Sequence, residues 1–137
     1  MLRTVDAAQA LADLTEISSQ IVHVAIVAED GSVLASTLDD EGRAARYAER
    51  VATLLEAADA ARVARGLVGL AQLEAATLDG SVFIVRGPAG SGYIAAVTRP
   101  EPTVGLVFYD LKHCLKSASA PKPPARAPRK KKADASA

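Results

Sequence analysis

The chain has 137 residues, half of them hydrophobic, and its 16 Lys/Arg balance 16 Asp/Glu. That length and composition suit one domain whose core needs no covalent staples. The single cysteine, Cys114, excludes an internal disulfide and fits a reducing cytosol. The N-terminus has no apolar signal-peptide core, and no stretch approaches the roughly 18 apolar residues of a membrane span; both point to a cytoplasmic protein.

The neutral total hides a split. Residues 1–116 hold ten Lys/Arg against fifteen Asp/Glu, whereas residues 117–137 hold six Lys/Arg and one Asp. An acidic body carries a basic tail. Asparagine is absent, alanine is abundant, and Arg outnumbers Lys in the body, a bias expected of a GC-rich bacterium.

In chain order, TVDAAQALADLTEISSQ places Ala7, Leu11, Leu14 and Ile17 at helical spacing, with Asp6, Asp13 and Glu16 off that stripe. Thr4 or Asp6 can supply its N-cap oxygen. IVHVAIVA, residues 21–28, is apolar on both alternating faces except at His23, the pattern of a central strand covered on both sides. Glu29-Asp30-Gly31-Ser32 then offers the positive backbone angles of a tight hairpin, with 33–37 returning.

Residues 39–65 form the longest helical pattern, entered near Asp39–Gly42 and closed by Gly66. Its apolar surface is too wide for one partner. Tyr47, Val51, Leu54, Ala58 and Ala61 make one row, and Ala44, Ala48, Ala52, Leu55 and Val63 widen it. One partner is the chain's own sheet; a second subunit is the natural candidate for the other. Three strands follow at 67–78, 81–87 and 93–98, separated by the turns Asp79-Gly80 and Pro88–Gly92. Beyond Pro100 and Pro102, Thr103 can cap a last helix to about Lys116, striped by Val104, Val107, Phe108, Leu111 and Leu115. From Ser117 the composition cannot bury apolar surface and reads as disordered. The expected architecture is α+β, in the order α-β-β-α-β-β-β-α, with a mostly antiparallel five-stranded sheet.

Catalytic chemistry is hard to assemble from these residues. His23 and His113 have no metal-ligand spacing, and adjacent His113 and Cys114 point about 100° apart on a helix. GPAGSG at 87–92 lacks the Lys and Ser/Thr of a phosphate loop and joins two strands. Asp39-Asp40-Glu41 lie where a helix start favours acids, without the alternation of a calcium loop. No nucleophile, base and oxyanion donor come together, so no metal, cofactor or reaction of the chain's own is expected. Arg43, Arg46 and Arg50 line one helix face, either solvated or a docking surface for an acidic partner.

VAIVAEDGSVLAST, the Ala-rich middle helix, LDGSVFIVRG, GYIAAVT and TVGLVFYDLKHCL, in this order, resemble the Roadblock / dynein light chain family, in particular its MglB-like bacterial members. The resemblance covers about residues 5–116. The family commonly reads Asn-Leu-Gly before its last helix; Thr103-Val104-Gly105 keeps the Gly and lacks the Asn. The resemblance implies a profilin-like Roadblock domain over 1–116 and a homodimer in which middle helices pack and third strands pair. In this chain that interface would involve Tyr47, Val51, Leu54, Leu55, Ala58, Leu67, Val68, Leu70 and Leu73. It further implies binding to a small Ras-like GTPase, with a GTPase-activating role and no catalytic arginine of its own. The tail 117–137, with Lys122, Arg126, Arg129, Lys130, Lys131 and Lys132, offers an alternative role. It could tether the chain to nucleic acid, with salt-dependent affinity, or to an anionic membrane at about 1 kcal/mol per basic residue. A small-ligand pocket between helix and sheet is a third reading.

Overall fold

The computed structural model describes residues 4–63, 72–87 and 92–119. In order these form α1 (Thr4–Ile17), β1 (Ile21–Val27), β2 (Val33–Ser36), α2 (Glu41–Val63), β3 (Gln72–Thr77), β4 (Gly80–Arg86), β5 (Tyr93–Thr98) and α3 (Val104–Ser119). The expected order holds. The five strands form one sheet, β2-β1-β5-β4-β3, in which every neighbouring pair is antiparallel.

β1 does lie inside the sheet. Val24 to Val27 are fully buried, because alternate residues feed two cores. Val24 and Ile26 join Phe83, Val85, Ile94 and Ala96 beneath α1 and α3. Ala25 and Val27 join Ile84, Tyr93 and Ala95 beneath α2. The sheet is therefore the middle of three layers. Phe83 is the largest fully buried side chain and meets Phe108 of α3 edge-on, ring centroids 4.9 Å apart.

The sequence places the turns well. At the first, the Asp30 carboxylate accepts from the Ser32 N–H at 2.9 Å and the Ser32 hydroxyl at 2.7 Å, and Gly31 takes φ +92°. Those two donors hold the Asp30 carboxyl below the usual carboxylate range. Asp40 caps α2, accepting from the Gly42 N–H at 2.8 Å. At the second hairpin, Gly80 opens β4 at φ +145°, and a Cβ there would fall on the Thr98 carbonyl oxygen.

The structure departs from the sequence reading at the end of α3 and on the buried stripe of α1. α3 runs to Ser119 rather than Lys116, and Ala118 is fully buried. Ala118 continues the stripe Val107, Leu111, Leu115 by one more turn. Ile17, counted on the buried stripe of α1, is 67% exposed, while Ala10 is buried instead. Ile17 is the last residue of α1 and lines an open groove shared with Asp110 and His113 of α3. Of the strand expected over 67–78, residues 67–71 lie outside the described residues, as do Gly66, Pro88–Ser91 and the basic tail.

The two turn glycines should respond differently to alanine. Gly31 has open space around its missing side chain, so Gly31→Ala should cost about 1–2 kcal/mol through backbone strain alone. Gly80→Ala must also displace the backbone of β5, so its urea midpoint should fall clearly further than that of Gly31→Ala.

Candidate functional site

The face that sets this chain apart is the outer surface of α2 together with the free edge of β3. α2 carries two rows of apolar residues, and the sheet absorbs only one. Ala44, Ala48, Val51 and Leu55 are buried, with Val51 and Leu55 only 4% and 5% exposed. Ala48 lies over the small side chains Ala25 and Ala95, so the helix can approach the sheet closely. The second row, Tyr47, Leu54 and Ala58, is half-buried at the flank. Leu73 of β3 is half-buried on the same side of the sheet. β3 is an edge strand, so the backbone groups along its outer side have no strand partner among the described residues.

Arg43, Arg46 and Arg50 are all exposed on α2, away from the sheet. The structure thus brings Tyr47, Leu54, Ala58 and Leu73 to one side of the molecule and sets Val51 and Leu55 beneath them. Leu67, Val68, Leu70 and the six tail cations lie outside the described residues.

Polar ties hold α2 in place, and none was legible from spacing. The Tyr93 hydroxyl donates to the Ala48 carbonyl at 3.2 Å. Arg86 of β4 makes a two-pronged bond to Asp59, Nη2 to Oδ2 at 2.9 Å and Nη1 to Oδ1 at 3.3 Å, with both side chains 32% exposed. The Tyr47 hydroxyl is buried with no partner among the described residues. Burial first, and the neighbouring Tyr93 second, push its ionisation well above the usual tyrosine value.

The remaining candidates take structural places. His23 is half-buried, and His113 stacks on Tyr109 at the surface of α3, centroids 6.4 Å apart. Asp39, Asp40 and Glu41 are exposed at the start of α2, and no group of three or more His, Cys, Asp or Glu among the described residues could hold a metal ion. Gly87 and Gly92 close a hairpin, the Gly87 N–H donating to the Gly92 carbonyl at 2.9 Å, rather than a strand-to-helix phosphate turn. Among the described residues no helix is long and apolar enough to cross a membrane. Cys114 is buried against α1, and burial followed by the charge of Asp13 pushes its thiol up to about 12.

Comparison with solved structures places this arrangement. Two Roadblock/LC7 domain structures from Streptomyces avermitilis superpose with TM-scores of 0.60 and 0.71, at 21% and 16% identity. They cover 79% and 80% of this chain and 93% and 91% of their own. The chain has the Roadblock/LC7 fold. Myxococcus xanthus MglB shares that fold at a TM-score of 0.69 and 14% identity, covering 83% of this chain and 85% of its own. No protein-family model matches the sequence, and no curated protein matches it.

The buried thiol and phenols make stability fall at high pH. Their folded values are raised, so the stability is intact below pH 9, the ordinary thiol value, and is lost as pH rises toward about 12. Cys114 should contribute a loss of about 1.4 kcal/mol per pH unit once the unfolded thiol ionises. Urea titrations of Cys114→Ala between pH 8 and 10 should show that slope flattened. At pH 7, Tyr47→Phe should cost almost nothing, because it removes a buried hydroxyl with no described partner.

Proposed function

We propose that this chain is a homodimeric, non-enzymatic regulator or scaffold that binds a small Ras-like GTPase. The observation that carries the reading is the second apolar row of α2, Tyr47, Leu54 and Ala58, lying beside the open edge of β3 on a Roadblock fold. A helix flank half-covered by its own sheet, next to strand backbone without a partner, suits a second copy. Two α2 helices could pack flank to flank while two β3 edges pair, closing both liabilities at once. In that dimer Tyr47, Leu54, Ala58 and Leu73, with Leu67, Val68 and Leu70, form the contact. Val51 and Leu55 support it from within the core.

The exposed Arg43, Arg46 and Arg50 then lie on α2 of both subunits and offer a cationic surface to an acidic partner. The chain brings no catalytic group of its own to GTP. Any stimulation of hydrolysis acts by ordering the partner's machinery, which is the GTPase-activating role proposed here.

Sedimentation at micromolar concentration should show a dimer. Leu54→Glu should weaken it about a hundredfold while leaving helix content intact, since Leu54 is a flank residue. Val51→Glu and Leu55→Glu are poor probes, because a charge at either site would break the chain's own core. A fully monomeric wild type would sink the dimer. GTP hydrolysis by a Ras-like GTPase encoded nearby, measured with and without this protein, tests the partner. Truncation after Ser119 should leave that effect intact; a loss confined to the truncated chain would favour the tail-tethering role instead.

A further inference from the structure

On the opposite side of the sheet, α1 and α3 do not close completely. A groove of about 210 Å³ runs between them, lined by Ala10, Asp13, Leu14, Ile17, Asp110, His113, Cys114 and Ser117. Its floor is apolar, and Ile17 stands 67% exposed at one end. Two carboxylates face it from opposite walls: Asp13 is exposed on α1, and Asp110 is buried on α3 at 8% exposure. Lys112 and Lys116, the lysines of α3, do not line it. An apolar trough with an acid on each wall suits a ligand with a hydrocarbon stem and a cationic head, which describes lysine and arginine side chains.

The helices run antiparallel. The Thr103 N–H, at the start of α3, donates to Gln20 Oε1 at 2.6 Å, and Arg99 Nε donates to the Ser19 carbonyl at 3.1 Å, just beyond α1. The C-terminal end of α3 therefore lies beside the first half of α1, and Ser117 lines the groove near Ala10. The chain leaves α3 two residues later, at Ser119, and continues as APKPPARAPRKKK.

We propose that the chain's own basic segment, residues 120–132, docks back along this groove, with Lys and Arg heads paired to Asp13 and Asp110 and their stems laid on Leu14 and Ile17. Charge and tether select this occupant. The segment carries Lys122, Arg126, Arg129, Lys130, Lys131 and Lys132 and no acid. From Ala10 to Ile17 the groove follows about 10 Å of helix. The segment from Ala120 to Lys132 can span about 40 Å when extended, so it can leave Ser119, reverse and still lie along the whole groove. Docking would bury the exposed Ile17 and bring counter-ions to the buried Asp110. It stands independently of the GTPase reading, since it uses the other face of the sheet.

The test uses the full-length, isotopically labelled protein and its amide spectra. Replacing the six tail cations by Gln should move the amides of Ala10, Asp13, Ile17, Asp110, His113 and Ser117 together. Asp13→Asn, at an exposed position that leaves the core untouched, should lower tail occupancy about fivefold, read from the tail amides. Asp110→Asn added to it should release the tail further. Raising salt to 1 M should erase the difference between wild type and neutral-tail protein, since charges then act over only about 3 Å. Groove amides that ignore the tail substitutions would overturn the proposal, as would shifts confined to β3 or the Arg43–Arg50 row. Shifts that scale with protein concentration would assign the tail to a neighbouring molecule and refute self-docking. Tail amides that move only when phosphatidylserine vesicles or a single-stranded oligonucleotide are added would likewise reject it.

Discussion

β1 and β5 lie side by side in mid-sheet, Ala25 opposite Ala95 and Ile26 opposite Ile94, and the other layers take their positions from that pairing. It welds the N-terminal hairpin, β1–β2, to the meander β3–β4–β5. Each of those pieces alone has an edge too many and one poorly covered face. Joined, they present Val24, Ile26, Ile94 and Ala96 to one pair of helices and Ala25, Val27 and Ala95 to a single helix. The asymmetry is consequential. Both sides mix branched side chains with alanines, but Ala25 and Ala95 pair with Ala48 of α2 in the smaller cluster. A lone helix cannot cover five strands, and Leu73 of β3 stays half-buried on that side.

This division of labour recasts what the Roadblock fold offers. The α1/α3 side packs most of its core within one chain, with Phe83, Leu14, Ile94 and Leu111 fully buried. The α2 side is finished only locally, around Val51 and Leu55, and is pinned by the Tyr93 and Arg86 bonds rather than by further packing. Few-sided packing with polar pins fixes the helix position while leaving part of its apolar area only half-buried.

Much of this was legible in the sequence, and the failures share a cause. Strand β1 declared itself because seven residues with two apolar faces have few other uses. Asp30-Gly31 and the Asp40 cap were readable because turns and helix starts are specified by local chemistry. The width of the apolar face on α2 was also visible, but its split was not. Whether Val51 or Leu54 faces inward depends on helix rotation about its axis, which is set by the alanines of β1 and β5 far away in the chain. Ile17 was misplaced because an ideal stripe takes no account of an open groove between two helices. The Arg86–Asp59 and Tyr93–Ala48 bonds join elements distant in sequence, and no spacing rule reaches them. The groove between α1 and α3 is an absence of packing, a property that no single segment encodes.

The pairing at mid-sheet also carries a consequence for how the chain is made. β1 leaves the ribosome early, but its partner β5 is among the last strands to be synthesised. Until then the apolar inner edge of β1 is open, and only the short β2 covers its other side. A strand with two apolar faces and a free edge is a template for the wrong neighbour, including the same strand of an adjacent nascent chain. The β1–β5 pairing is a long-range closure, spanning residues 28–92, the kind of contact that forms slowly. The acidic pair Glu29-Asp30, at the tip of the early hairpin, sits where like-charge repulsion would keep two waiting chains apart.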